Sequence, residues 1–236
     1  VLVVYAVAAY ALLRDRRDRP RASGSMLRRL ATTLRMPVTL QLAFLYAVAF
    51  GGFVAFSVYL PTYLANAYDL TRSDAALRTA GFVVLAVAMR PVGGWLSDRL
   101  RPVPVLVTAY TIVAVLAALA AFELPLVPIG TVAFLGTAAA LGAATGAVFA
   151  LLAALVPEER VGAVTGVVGA AGGLGGFFPP LVMGLVYGGL DDYTVGFLLL
   201  ALTAAAAGVF TATVIRRAQG GGGRAHSVRA AGRRPG

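Results

Sequence analysis

Six stretches of this chain are long and apolar enough to cross a lipid bilayer, and they constrain the fold more than any other feature. A membrane-spanning helix needs about 20 predominantly apolar residues. The stretches are residues 38–65, 79–97, 103–122, 126–156, 161–190 and 193–215. Hydrophobic residues make up 59% of the chain, and a water-soluble protein could not bury so much apolar surface. The sequence therefore predicts an all-α integral membrane protein with a six-helix transmembrane bundle over residues 38–215.

Three further segments surround this bundle. Residues 1–13 are apolar but too short to cross a bilayer, so we expect a transmembrane helix truncated at Val1 and a chain that is a fragment. Residues 14–37 are polar and contain eight arginines, which predicts a loop between two bundles. Residues 216–236 form an Arg- and Gly-rich tail that we expect to be disordered.

The arginines fall mostly on one side of the predicted bundle. All 20 basic residues are arginine, and 17 of them lie in residues 14–37, in alternate loops and in the tail. The loops on the opposite side hold only Arg72 and Arg78. The positive-inside rule then predicts a multi-pass protein of the cell inner (plasma) membrane, with the long loop and the C-terminus in the cytoplasm. The net charge of +10 is explained by this topology and by contact with the lipid bilayer, so no nucleic-acid partner is expected.

Several kinds of chemistry are excluded by what the chain lacks. It contains no cysteine, and its one histidine, His226, lies in the tail. No predicted span holds a nucleophile–base pair or a metal-ligand cluster. We therefore expect neither an enzyme nor a bound metal or cofactor.

One arginine, Arg90, lies inside a predicted span. It precedes Asp98 by eight residues, which places it about 12 Å along a helix from the cytoplasmic end, near the middle of a core roughly 30 Å thick. An arginine there costs about 2.5–3.5 kcal/mol on insertion, and no predicted span contains an acidic residue. Either Arg90 snorkels or pairs with a carboxylate outside this chain, or it faces an aqueous cavity where the substrate is its counter-ion. A guanidinium cannot lose its proton and presents planar paired donors, which suits a small planar oxyanion.

Small residues share the helix face of Arg90. They are Ala86, Gly93, Gly94 and Ser97. Because small side chains leave room, this pattern favours the cavity over the pairing alternative.

Three aromatic residues of the first full span fall on one helix face. Tyr46, Phe50 and Phe53 stand at i, i+4 and i+7. A tyrosine hydroxyl and flat rings could hold a planar ligand, with Tyr46 and Phe50 the favoured candidates and Phe53 the less favoured one. Simple packing of the aromatic stripe stays open as the alternative.

The fifth full span is dense in glycine. Gly162, Gly166, Gly169, Gly173 and Gly176 line one face, with Gly172 and Gly175 beside them. A glycine face permits very close helix contact and also leaves backbone edges uncovered beside a cavity, and both roles stay open. Pro179 and Pro180 follow, and they should kink or break the helix because they remove two amide donors.

Several segments resemble those of known transporters. GGWLSDRLRP is similar to the conserved loop motif of the major facilitator superfamily, met here by Gly94, Asp98 and Arg99, although Arg101 replaces the family's glycine. The segment PEER also resembles the loop that precedes the eleventh helix of that family.

A narrower resemblance is to the nitrate/nitrite porter family within that superfamily. GAVTGVVGAAGGLGGFFPP resembles its glycine-rich nitrate signature in the eleventh helix, which includes Gly162, Gly166, Gly169, Gly172, Gly173 and Gly176. MRPVGGWLSDR places Arg90 at the family's anion-binding arginine. FLYAVAFGGF places Tyr46 and Phe50 in the family's substrate cavity.

The resemblance implies the C-terminal half of a twelve-helix transporter, from the end of the sixth helix through the twelfth, with the N-terminal half missing. It implies nitrate and/or nitrite transport by alternating access, and the missing half as the partner that completes the site. Two alternatives stay open. One is a facilitator for another small or organic anion or a drug, and the other is an accessory membrane subunit that does not transport.

Overall fold

The computed structural model describes residues 3, 7, 8, 10, 25–190 and 194–215. Within these ranges six helices are long and apolar enough to cross a membrane, and the six-span, all-helical prediction is confirmed. The helices are α1 (Met26–Leu34), α2 (Pro37–Ala67), α3 (Arg72–Leu100), α4 (Pro102–Ala120), α5 (Thr131–Leu155), α6 (Glu158–Leu190) and α7 (Thr194–Phe210). An irregular turn, Leu126–Gly130, precedes α5, and Thr211–Ile215 extends α7.

The segment expected to be a loop, residues 14–37, contains helix α1. Its first turn is stabilised by Ser25, whose hydroxyl accepts the backbone N–H of Arg28 at 3.3 Å, so a donor with no partner inside the helix is satisfied. Residues 14–24 and the tail 216–236 lie outside the described residues, as does most of 1–13. Expectations for those segments stay predictions.

Two pairs of helices make the most extensive contacts of the bundle. α2 packs along α6, and α3 packs along α5. The second contact brings backbones together, because a Cβ on Gly142 would overlap the carbonyl oxygen of Ala86, and one on Gly146 would overlap that of Arg90. Contacts of this kind are typical of small-residue packing between membrane helices.

The helices α4 and α7 pack against each other, and α4 also packs on α5. Tyr110 of α4 is completely buried and donates its hydroxyl to the backbone oxygen of Leu45 at 2.6 Å. A buried hydroxyl needs a partner, and this bond joins α4 to α2 one residue before Tyr46.

Pro179 and Pro180 do not break their helix, so that part of the expectation is wrong, while a kink at these residues stays a prediction. Helix α6 continues through both prolines to Leu190. In membrane helices prolines are tolerated because neighbouring groups and local adjustments satisfy the freed carbonyls.

A single residue, Arg101, joins α3 to α4. Its backbone angles are φ 73° and ψ 148°, a region that is occupied almost only by glycine because a Cβ is strained there. Arg101 stands where the family loop motif has glycine. The backbone conformation at this position explains why the motif has glycine there, and in this chain an arginine adopts it.

Replacing Arg101 with glycine is expected to stabilise the protein. The strain at such a position is about 1–3 kcal/mol, and the greater freedom of glycine in the unfolded chain offsets roughly 0.4–1 kcal/mol of its relief. The midpoint of thermal unfolding in detergent should rise for Arg101→Gly. Arg99→Gly is the matched control, because Arg99 lies within helix α3 and glycine there costs about 1 kcal/mol. Equal effects of the two changes would contradict strain at Arg101.

Candidate functional site

Arg90 lies half-buried on α3, with its charged group against two aromatic rings of α2. The guanidinium carbon is 5.3 Å from the centroid of the Phe50 ring and 5.0 Å from that of Phe53. Both distances fall within the range of cation–π attraction. The rings therefore hold the cation in place while leaving its N–H groups free to donate.

The Nε atom of Arg90 is buried and has no hydrogen-bond partner among the described residues. The same part of the chain contains no ion pair to Arg90, and α2 to α7 carry acidic residues only at their ends and in loops. A buried donor without a partner costs about 1–3 kcal/mol, and more when it is charged. The described residues therefore leave this donor without an acceptor, which a bound anion or a carboxylate outside this chain would supply.

Tyr46 and Phe50 stack beside the cation. Their ring centroids are 5.4 Å apart with an interplanar angle of 5°. Phe149 of α5 meets the Tyr46 ring edge-on at 4.9 Å. The predicted trio of Arg90, Tyr46 and Phe50 is thus brought together by α2 and α3, and Phe149 supports it from a third helix.

Phe53, the less favoured candidate, lies as close to the guanidinium as Phe50. Its ring is nearly parallel to that of Phe82, with centroids 6.4 Å apart. Phe82 is almost completely buried on α3 and stacks on Phe56 at 5.5 Å. This packing fixes the Phe53 ring, so Phe53 is as much a wall of the site as Phe50.

Part of the glycine signature packs against these rings. A Cβ on Gly172 would overlap the Tyr46 ring and come within 3.2 Å of Phe50. A Cβ on Gly175 would meet the backbone of Ala47, and one on Gly176 would lie 3.0 Å from Val54. These glycines let α6 approach α2 closely enough to enclose Tyr46.

The other glycines of the signature lie on an open face of α6. A Cβ on any of them would meet nothing within 4 Å in the described part of the chain, and all four residues are exposed. They are Gly162, Gly166, Gly169 and Gly173. The glycine face predicted from spacing is therefore not uniform. Gly176, which was predicted to share the face of these four residues, packs against α2 as Gly172 does.

The small residues near Arg90 have a different role from the one expected. Ala86, Gly93 and Ser97 are buried, and a Cβ on Gly93 would overlap the backbone of Ala143 in α5. Ala86 and Gly93 pack α3 against α5, and none of the three residues lines either of the two described cavities. A helical wheel shows which residues share a face, but the neighbouring helix decides whether that face is open.

The loop-motif residues lie at the end of α3. Asp98 and Arg99 are exposed, and the guanidinium carbon of Arg99 is 5.0 Å from the centroid of the Trp95 ring. A Cβ on Gly94 would lie 4.0 Å from the backbone oxygen of Gly146, an ordinary van der Waals distance. The part played by this motif in conformational change stays a prediction.

One described cavity is a separate feature. It has a volume of about 390 Å³, lies between α2, α6 and α7, and is lined almost entirely by apolar side chains. Neither Arg90 nor Tyr46 lines it. The candidate site around Arg90 is therefore distinct from this cavity.

Sequence reasoning missed the contributions of α5. Gly142 and Gly146 stand four residues apart, a spacing typical of close helix contacts in membranes, and this signal was available. Phe149 carried no comparable signal, because only the packing of α5 on α2 brings it to Tyr46.

Comparison with known proteins agrees with this architecture. The profile described as the Major Facilitator Superfamily matches residues 2–234. The outward conformation of FucP, a transporter of that superfamily, matches with a TM-score of 0.69 and 20% identity over 89% of this chain and 51% of its own. At that identity the likeness shows the fold alone.

Relatives at higher identity are named as transport proteins. The probable nitrate/nitrite transporter NarK2 of Mycobacterium tuberculosis is 51% identical over 209 residues, covering 88% of this chain and 53% of the relative. The nitrite extrusion protein of Bacillus subtilis is 34% identical over 87% of this chain and 51% of its own length. The chain thus spans about half the length of these relatives. On its six apolar helices and the match over nearly its whole length, the chain belongs to the Major Facilitator Superfamily.

Proposed function

We propose that this chain is the C-terminal half of a nitrate and/or nitrite transporter, in which Arg90 binds the anion beside Tyr46 and Phe50. The observation that carries the proposal is the buried, unpartnered Nε of Arg90, held between two aromatic rings. Nitrate is planar and accepts hydrogen bonds in its own plane. A guanidinium offers a planar set of donors, and the rings can pack on the flat faces of such a ligand.

The names of the relatives support the choice of substrate. Arginine alone would suit many anions, but proteins named for nitrate or nitrite transport share 34–51% identity with this chain. Gly172, which packs on the Tyr46 ring, belongs to the segment that resembles the family's nitrate signature. An organic anion is the second candidate substrate. The part of the site outside this chain also encloses the ligand, and it contributes to which anion fits.

The proposal includes a partner half and an orientation. The open glycine face of α6 and the exposed side of the Arg90 site would meet the N-terminal half, and substrate would bind between the two. The arginine-rich end would face the cytoplasm by the positive-inside rule. Exchange of nitrate for nitrite would need no proton carrier, which fits helices that hold no acid or histidine at the level of Arg90.

Flux through the complete transporter tests this function. Proteoliposomes loaded with nitrite should take up labelled nitrate. Proteoliposomes loaded with an impermeant anion should not, and neither should liposomes without the protein. Uptake that instead requires an imposed proton gradient would indicate proton symport. Labelled organic anions provide the comparison. Uptake of an organic anion without nitrate or nitrite flux would favour the second candidate. The absence of flux with every anion, for protein shown to be folded and reconstituted, would favour an accessory subunit.

A further inference from the structure

Helix α1 presents three chemically different sides. Thr33 is buried against the bundle. Leu30 and Leu34, one turn apart, are 46% and 41% exposed. Arg28 and Arg35 are also exposed, and their spacing of seven residues places them together on a third side, away from the leucines. The two leucines form a small apolar patch beside a basic side, an arrangement that suits the boundary between water and lipid.

The position of α1 is fixed at the start of the membrane-spanning part. Only Arg35 and Met36 separate it from α2. Met36 accepts a hydrogen bond on its sulfur from Arg160 of α6 at 3.4 Å, and α1 packs against α6. Within its first two turns α2 exposes Leu40 and Phe44, so apolar surface for lipid begins directly beside α1.

We propose that α1 binds the surface of an anionic lipid bilayer, with Leu30 and Leu34 in the acyl boundary and Arg28 and Arg35 on lipid phosphates. Short amphipathic helices with apolar and basic faces bind the bilayer interface in this way. The charge complements an anionic leaflet, since α1 and its flanks contain no acidic residue between Asp18 and Asp69. This binding is independent of the transported anion.

The depth of the two faces tests the proposal. This chain has no cysteine, so a spin label can be placed through Leu30→Cys, Leu34→Cys or Arg28→Cys in the complete transporter, with any cysteine outside this chain changed to serine. In vesicles of phosphatidylcholine and phosphatidylglycerol, labels at positions 30 and 34 should be relaxed by oxygen and protected from a water-soluble nickel chelate. The label at position 28 should show the reverse. Leu40→Cys is the control for a lipid-exposed position.

Two results would overturn the proposal. Access of the nickel chelate to positions 30 and 34 would mean that α1 stands away from the bilayer. Protection of both positions from oxygen and from the chelate would mean that protein covers them, whether the other half or a second copy.

The contribution of charge is tested at the same place. The protein, with a fluorophore at position 30, is placed in phosphatidylcholine nanodiscs that contain an increasing fraction of phosphatidylglycerol with brominated acyl chains. The brominated lipid should quench the fluorophore. Each of Arg28→Gln and Arg35→Gln should raise the lipid fraction at half quenching by about fivefold, from the usual contribution of one arginine near an anionic surface. Arg78→Gln, at the opposite end of the bundle, should leave it unchanged. Binding of anionic lipid by α1 would be contradicted if all three changes shifted this lipid fraction equally, or if Arg28→Gln and Arg35→Gln left it unchanged.

Discussion

A transporter in which lysine replaces Arg90 is expected to lose nitrate and nitrite flux by at least about tenfold. Lysine keeps the charge but not the planar fork, so the anion would lose paired charge-assisted hydrogen bonds worth about 1.5–3 kcal/mol each. The variant would also lose the stacking of the flat guanidinium on Phe50 and Phe53, whose ring centroids lie 5.3 and 5.0 Å from the guanidinium carbon. Initial rates over a range of nitrate concentrations measure the effect.

Arg78→Lys is the matched control for this change. Arg78 lies on the same helix and already pairs with Asp74 at 3.2 Å in an exposed position, where such pairs contribute little. Its flux should equal that of the unchanged protein. If Arg90→Lys reaches the membrane in normal amount and transports normally, Arg90 does not bind the anion and the proposed site is wrong.

The second large effect is expected at Gly146, where the backbones of α3 and α5 meet. A methyl group there would overlap the carbonyl oxygen of Arg90 and the amide nitrogen of Gly94. Backbone atoms cannot rotate away as a side chain can, so Gly146→Ala must push α3 off α5. Overpacking of this kind costs about 1–3 kcal/mol, and it displaces the residue that carries the guanidinium.

Gly146→Ala should therefore lower both the thermal unfolding midpoint and the affinity for nitrate. Gly81→Ala is its matched control, because a Cβ at Gly81 of α3 would meet nothing within 4 Å in the described structure. That variant should be unchanged or slightly more stable, as alanine favours helix over glycine. Wild-type behaviour of Gly146→Ala would mean that the two helices are further apart than described.

The sequence was sufficient for the architecture and for half of the site. Long apolar stretches specify membrane helices because the bilayer leaves few other options, and a charge inside one of them singled out Arg90. The aromatic stripe of the first full span offered Tyr46 and Phe50 as candidates, and only the family resemblance placed them with Arg90, since no local pattern tells which two helices face each other.

The remaining features depend on contacts between helices. Gly172 and Gly173 are neighbours in the chain, yet one encloses the Tyr46 ring and the other is open. Spacing could not separate them, because the difference lies in the position of α2. The same holds for Gly93, whose small size serves packing against Ala143.

The glycine content of α6 has a consequence for how the protein is made. Ten of its 33 residues are glycine, and relative to alanine each disfavours helix by about 1 kcal/mol in water. Hydrocarbon reverses this balance, since a backbone inside it must satisfy its own hydrogen bonds. We therefore expect helix α6 to be unstable before it enters the membrane, and this segment to acquire its secondary structure and insert in one step during biogenesis.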